Sequence, residues 1–370
     1  WVPLKHLAKR RTRRNSQLKE TRVLTNSAEQ GVVDQRDYFD KDIANKGNLG
    51  GYLIVDHGDY VYNPRISSLA PVGPISRNNI GKGVMSPLYT VFRFDPGGND
   101  FYTQYFKSTH WHHYLRHVSN SGARHDRMSI TNDDFMLMPL PSPTSAEQQR
   151  IADCLTSVDG LIAAHERKLA ALRDHKKGLM QQLFPREGET QPRLRFPEFQ
   201  GKREWAEKPL QAICDMKAGK FVSASEISEH ETPGLYPCYG GNGLRGHTRS
   251  YTHSGEHPLI GRQGALCGNT TIVKGCFHAT EHAVVVTPHD GINVSWLFYV
   301  LVFLNLNRFA TGQAQPGLSV AALEEVVCRV PMEAMEQWKI AECLSSMDDQ
   351  IAAQTQKIEA LQAHKKGLMQ

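Results

Sequence analysis

Apolar residues recur at alternating steps of four and three along two stretches of the chain. Ile151, Leu155, Val158, Ile162, His165, Leu169, Leu172, Lys176, Leu179 and Leu183 keep the rhythm in the first. Ile340, Leu344, Met347, Ile351, Gln354, Ile358, Leu361, Lys365 and Leu368 keep it in the second. A stripe of this period over about four heptads predicts a long helix with a coiled-coil seam rather than a short globular helix. Charged and Ala-rich positions fill the other faces, and no Pro interrupts either run. At ~1.5 Å per residue each helix would be on the order of 50 Å long. Two such rods in one chain are expected to pack on each other, antiparallel if the intervening domain sends the chain back. Leu155, Val158, Ile162, His165, Leu169 and Leu172 then pair along the seam with Leu344, Met347, Ile351, Gln354, Ile358 and Leu361.

The two stretches are copies. Glu147-Gln-Gln-Arg-Ile-Ala-Asp-Cys-Leu-Thr-Ser-Val-Asp159 returns as Glu336-Gln-Trp-Lys-Ile-Ala-Glu-Cys-Leu-Ser-Ser-Met-Asp348, and His175-Lys-Lys-Gly-Leu-Met-Gln181 returns unchanged. At a constant offset of 189, 21 of 35 paired positions are identical, so the chain is an internal duplication. Both copies place a polar residue at one seam position, His165 and Gln354. A polar seam residue costs stability but fixes register and orientation.

Outside the rods the period shortens. Tyr52-Leu-Ile-Val55, Tyr60-Val-Tyr62 and Leu88-Tyr-Thr-Val-Phe92 predict strands, separated by turn signals at Asp56-His-Gly58, Asn63-Pro64 and Pro96-Gly-Gly98. A helical patch is expected over 101–117. In the second half, Trp205-Ala-Glu-Lys-Pro-Leu210 echoes Trp1-Val-Pro-Leu4, 295–309 echoes 101–117, and 312–331 echoes 122–141. Between these landmarks the halves share almost nothing. The expected organisation is a mixed α/β domain over 1–144, a helix over 145–184, a polar Pro-rich linker over 185–204, a second domain over 205–332 and a second helix over 333–370.

Composition narrows the class. In 370 residues, 40% hydrophobic and 22% charged content is ordinary for a soluble globular protein. The most apolar run, 295–309, is too short to span a bilayer. Seven cysteines without a CxxC pair fit a reduced, cytoplasmic protein whose thiols are small buried residues. A net charge of +5 permits nucleic-acid binding without establishing it. No initiator Met stands at the start, and the second copy stops where the first continues into Gln-Leu-Phe-Pro185, so both ends are expected to be trimmed.

Several motifs carry chemistry only weakly. Gly241-Asn-Gly243-Leu-Arg-Gly246 fits GxGxxG, but dinucleotide binding needs a strand before it and a helix after, and His247–His253 continues as loop or strand. Asn63-Pro64 lacks the following Pro and aromatic of an adenine-methyltransferase motif. His110-Trp-His112-His113 with His117 has no Cys or carboxylate spacing to complete a metal set. No metal and no catalytic residue is assigned. Lys9-Arg-Arg-Thr-Arg-Arg14 is either a solvated basic face or an arm on phosphates.

The rods, each headed by Glu-Gln-x-x-Ile-Ala-x-x-Leu-x-x-x-Asp, followed by Leu-Phe-Pro185, Leu194-Arg-Phe-Pro-Glu-Phe199 and Trp205, resemble the specificity subunit of type I restriction-modification enzymes. Tyr239-Gly-Gly-Asn-Gly243, Leu259-Ile-Gly-Arg-Gln-Gly264 and Thr280-Glu-His282 strengthen the resemblance. So do Val23-Leu-Thr25, Gly31-Val-Val33 and Gly58-Asp-Tyr-Val-Tyr-Asn-Pro64 in the first half.

The resemblance implies an α/β (α+β) chain with a pseudo-twofold internal repeat. Two target-recognition domains, each reading half of a split double-stranded DNA site, are separated by two long helices in an antiparallel coiled coil. It also implies a non-catalytic subunit without cofactors of its own. Two modification subunits carrying S-adenosylmethionine, and restriction subunits carrying ATP and Mg2+, would be its partners, in a prokaryotic cytoplasm with no membrane involved. Base reading then needs Arg or Lys for guanine and Asn or Gln for adenine on loops. The candidates are Asn63, Arg65, Arg77, Asn78, Asn79, Lys82, Arg124 and Arg127 in the first domain. In the second they are Asn242, Arg245, Arg249, Arg262, Gln263, Asn269, Gln313 and Gln315. Two other classes stay open: a single-chain methyltransferase or nuclease fragment, and a scaffold that docks proteins without reading DNA.

Overall fold

The computed structural model describes residues 1–39, 46–95, 100–119, 126–264, 266–312 and 316–370. The expected turn at Pro96-Gly-Gly98 and the candidates Arg124, Gln313 and Gln315 lie outside the described residues. The chain forms two compact units, one of residues 1–164 with 358–370 and the other of residues 165–357. Each rod is one continuous helix, Ser145–Leu183 and Ala334–Leu368.

In the first unit, Ala8–Arg10, Thr90–Phe94, Tyr60–Tyr62 and Ile75–Arg77 form an antiparallel sheet in that order. The expected helical patch is two short helices, Phe101–Tyr105 and His112–Val118. Their apolar sides complete an aromatic core in which Phe94 stacks on Tyr102 at 4.0 Å and Trp111 meets Phe106 edge-on. Such pairs add about 0.5–1.5 kcal/mol beyond the area they bury. A smaller layer pairs Leu24–Ser27 with Gly31–Asp34 and Leu53–Val55 with Gly83–Met85 around Val55, Val61 and Val91.

The second unit is built on six strands ordered Cys214–Ala218, Ala283–Pro288, His253–Gly261, Thr270–Ala279, Tyr236–Gly240 and Gly243–Thr248. Helix Val294–Phe303, capped by the Asn293 side chain on Trp296 N, belongs to its main core with Trp205 and Trp296. Residues 185–204, expected as linker, are packed down in this unit. Arg195 forms a fork with Glu336 at 2.7 and 2.8 Å and also donates to the carbonyls of Lys202 and Arg203, while Trp205 Nε1 donates to Glu336 at 3.1 Å. A buried ion pair is tolerable only when its remaining donors are satisfied in this way.

The echoes at the domain entrances take the same form twice. Val2–Pro3 pairs antiparallel with Pro139–Leu140 in the first unit, and Ala206–Pro209 pairs antiparallel with Val327–Val330 in the second. A short helix precedes the later strand each time, Asn132–Met136 and Val320–Glu324.

Every seam residue of the two rods is buried or partly buried except Leu368, while most flanking positions are exposed. In the second unit Gln354 Nε2 donates to His165 Nδ1 at 2.7 Å and to His165 O at 2.9 Å, and Lys176 bonds Asp348 at 2.5 Å. Contacts that descend along one helix as they ascend the other make this pairing antiparallel. In the first unit Lys365 reaches Asp159 at 2.5 Å. The lysines inside the apolar rhythm are therefore not gaps in the seam: each bonds the aspartate that ends the repeated motif. Among the described residues no helix is long and apolar enough to cross a membrane.

Candidate nucleic-acid interface

Three glycine- and threonine-bearing segments of the second unit meet at one edge of the six-stranded sheet. The hairpin between Tyr236–Gly240 and Gly243–Thr248 carries Asn242 at its tip. The chain leaving His253–Gly261 carries Arg262 and Gln263. Thr280-Glu281-His282 is the turn joining the next two strands, closed by Ala283 N on Thr280 O at 3.0 Å. Backbone bonds tie these together: Arg262 N to His282 O at 3.0 Å, and Thr280 N to Tyr239 O at 2.9 Å. At Gly261 a Cβ would lie 1.9 Å from Gly241 O, so only glycine lets the two loops touch.

On this edge Asn242, Arg245, Gln263 and Asn269 are exposed and Arg262 is partly buried, whereas exposed Arg249 follows the far end of the hairpin. Arg262 Nε, Glu281 Oε2 and His282 Nδ1 are buried polar atoms with no partner among the described residues. An unpaired buried group costs roughly 1–3 kcal/mol; the other ends of two of these side chains meet, His282 Nε2 lying 3.3 Å from Glu281 Oε1. Burial raises the Cys238 thiol, opposed by the charge of Arg245 and reinforced by that of Glu281. The sequence candidates omitted Glu281 and His282. The signal was present in Thr280-Glu-His282, but a carboxylate, which accepts from the cytosine amino group, was not among the donors and amides sought. The GxGxxG match is this hairpin, with strand on both sides and no helix after it.

The first unit brings fewer of its candidates to a common surface. Asn78 is fully buried and spent on the fold, its amide donating to Asp56 O and Gly81 O and its Oδ1 accepting from Ile80 N. Asn63 donates to Asn26 O and accepts from Arg65 N, a turn-forming role that leaves little for a base. Lys82 is paired with Glu20, and Arg77 with Asp100.

Arg65 and Arg127 stand opposite each other on two bridged segments, held by Ile66 N to Asp126 O and Met128 N to Pro64 O, both at 2.9 Å. Arg65 lines a groove of about 330 Å3. Arg77 and exposed Asn79 line another of about 1020 Å3 with Lys107, His112 and Arg116. Burial, and then the Arg116 charge, lowers the His112 pKa. The basic run 9–14 is not a free arm. Lys9, Arg11 and Arg13 are bound to Asp95, Asp59 and Asp56.

The cysteines divide. Cys214, Cys238, Cys267 and Cys328 are buried, and burial pushes Cys214 and Cys328 up to about 12. Cys154 and Cys276 are exposed, contrary to the expectation of buried thiols, and Cys343 is intermediate. Among the described residues no three His, Cys, Asp or Glu side chains converge as a metal-binding set.

Residues 202–363 match a family model described as the type I restriction modification DNA specificity domain. The chain is 52% identical over 135 residues to the type I restriction enzyme EcoprrI specificity subunit of Escherichia coli, covering 36% of this chain and 33% of that protein. It is 25% identical over 263 residues to the type I restriction enzyme MjaVIII specificity subunit of Methanocaldococcus jannaschii, covering 64% of this chain and 61% of the relative. The fold is similar to that of the S subunit of a type I restriction-modification system from M. genitalium, with a TM-score of 0.64, 16% identity and coverage of 100% and 94% of the two chains.

Proposed function

We propose that this chain, whose residues 202–363 match the type I restriction modification DNA specificity domain, is a specificity subunit of that kind and reads a split double-stranded DNA site. In this reading residues 1–144 and 205–332 are the two target-recognition domains, each taking one half-site. The chain works in a prokaryotic cytoplasm and makes no bond itself. Methyltransferase subunits docked on the long helices supply adenine methylation from S-adenosylmethionine, and restriction subunits supply the ATP- and Mg2+-dependent steps. A helix of 39 residues is about 58 Å long, more than one ~34–36 Å turn of DNA. In the reading, helix length therefore governs the unread gap and the domains govern what is read.

The observation that carries the reading is the edge formed by Asn242, Arg245, Arg262, Gln263, Glu281 and His282. It combines donors, acceptors and positive charge on rigid loops, the chemistry of major-groove readout. The test is to map methylated adenines in a genome carrying this protein with its methyltransferase subunit, then to repeat the map with Arg262→Ala. The expected result is a bipartite site whose one half relaxes at a single position, a loss of roughly 1–3 kcal/mol there. A continuous site, or relaxation of both halves at once, overturns the reading. Methylation by the isolated chain would favour an enzyme, and sequence-blind binding a docking scaffold.

A further inference from the structure

Beside the polar edge the second unit holds an aromatic ring out to solvent on an unusually well-anchored loop. Phe221 is 76% exposed. The residues before it are fixed on either side of the Thr280–His282 turn, with Gly219 N donating to Ala283 O and Lys220 N to Ala279 O, both at 2.9 Å. The Lys220 carbonyl is bonded in turn by His278 Nε2 at 3.1 Å. Only glycine fits at 219, because a Cβ would sit 2.1 Å from Ala279 O. After Phe221 the chain is anchored again by buried Val222 and by the Ser223–Glu226 capping box. A phenylalanine with no packing role, held still between two anchors, gains nothing for the fold.

Its surroundings indicate what covers it. Lys220 is exposed with no carboxylate partner among the described residues, and the adjoining turn carries Glu281 and His282, 3.3 Å apart, beside Arg262, whose backbone N–H donates to His282 O. A protein partner's apolar pocket would leave the Lys220 ammonium without a counter-charge. A DNA duplex offers a phosphate for Lys220, base edges for the polar atoms and a base step for the ring.

We propose that Phe221 is a wedge: it inserts at a base step of the half-site read by this unit, partly unstacking it, and so presents the adjacent base edges to Arg262, Glu281 and His282. Apolar wedges of this kind spend unstacking energy to gain contacts that an unbent duplex does not offer. The inference rests on the reading given under Proposed function.

The test uses the chain assembled with its methyltransferase subunits and duplexes of the methylated site carrying 2-aminopurine at successive steps of that half-site. With the methylated adenine itself left unsubstituted, wild type should brighten the fluorophore at one step. Phe221→Ala should abolish the signal and weaken binding roughly ten-fold or more, while Phe221→Trp should keep both. Thermal unfolding of both variants should match wild type, since the ring is exposed. Brightening at no step overturns the wedge, as does brightening that persists in Phe221→Ala. Loss of methyltransferase-subunit assembly in Phe221→Ala, with DNA contacts unchanged, would instead assign the ring to a protein interface. If the wild-type complex methylates no split site at all, the parent reading has failed rather than the wedge.

Discussion

The same glutamate heads both copies of the repeated helix, yet the two live in different worlds. Glu336 is 1% exposed, forked by Arg195 and bonded by Trp205. Glu147 is exposed, with no side-chain partner among the described residues. Sequence identity at a repeat position therefore does not imply the same energetic role: residues 195–205 convert one copy into a buried ionic lock. Glu336→Gln tests the difference most strongly. Gln keeps the shape but leaves the Arg195 guanidinium buried without its counter-charge, a loss of roughly 3–5 kcal/mol. The expected result is a lowered denaturant midpoint for the second unit and faster amide exchange over residues 194–206, with no change in either for Glu147→Gln. Equal effects at the two sites would erase the distinction.

The helix segments differ in the same spirit. The second unit sets its register with a polar pair, Gln354 donating twice to His165. The first unit has an ionic cluster on Asp159. Gln354→Leu strands the His165 acceptor and should cost about 1–2 kcal/mol. Adding His165→Leu should recover most of that as apolar contact while weakening the preference for one register. A double-mutant cycle on unfolding measures the coupling, and additive single effects would show that the two side chains do not act as a pair.

How much of this was legible in the sequence follows from periodicity. The seam, its polar position and the strands at Tyr60–Tyr62 and Leu53–Val55 were visible because burial imposes a spacing that survives in a one-dimensional string. The repeated domain entrances were visible because the duplication printed them twice, but not that they pair as strands. Asn78 could not be told from a base-reading amide, since an Asn closing a turn and an Asn facing a groove look alike until burial is known. Lys176 and Lys365 keep the rhythm of the stripe, but what they bond is not legible there because their partners, Asp348 and Asp159, are far off in sequence. The packing of 185–204 was hidden for a similar reason: Arg195 reads as a solvated linker charge until Glu336 is brought beneath it. The convergence of the hairpin at Asn242 with the Thr280–His282 turn depends on strand order, which no local pattern encodes.

The smallest contrast is between the two aspartates that end the repeated motif. Asp348 accepts from Lys176 and from the Tyr299 hydroxyl at 2.7 Å. Asp159 accepts from Lys365, Gln104 and Lys107. Burial alone would raise Asp159, but hydrogen bonds from Lys365, Gln104 and Lys107 outweigh it and bring the carboxyl from 3.8 down to about 2. A pKa lower in the folded chain than in the unfolded one contributes stability that is fully present above about pH 4. That contribution drains away as pH falls toward 2, because the unfolded chain takes up the proton first. Asp159 is partly exposed, and water screens the cluster, so the contribution is no more than about 1 kcal/mol. Asp159→Asn should therefore flatten the acid slope of first-unit stability between pH 4 and 2, while at neutral pH it lowers stability only slightly. Urea midpoints taken at closely spaced pH values would measure this, and parallel decline of wild type and variant would show that the cluster on Asp159 is geometry without energetic weight.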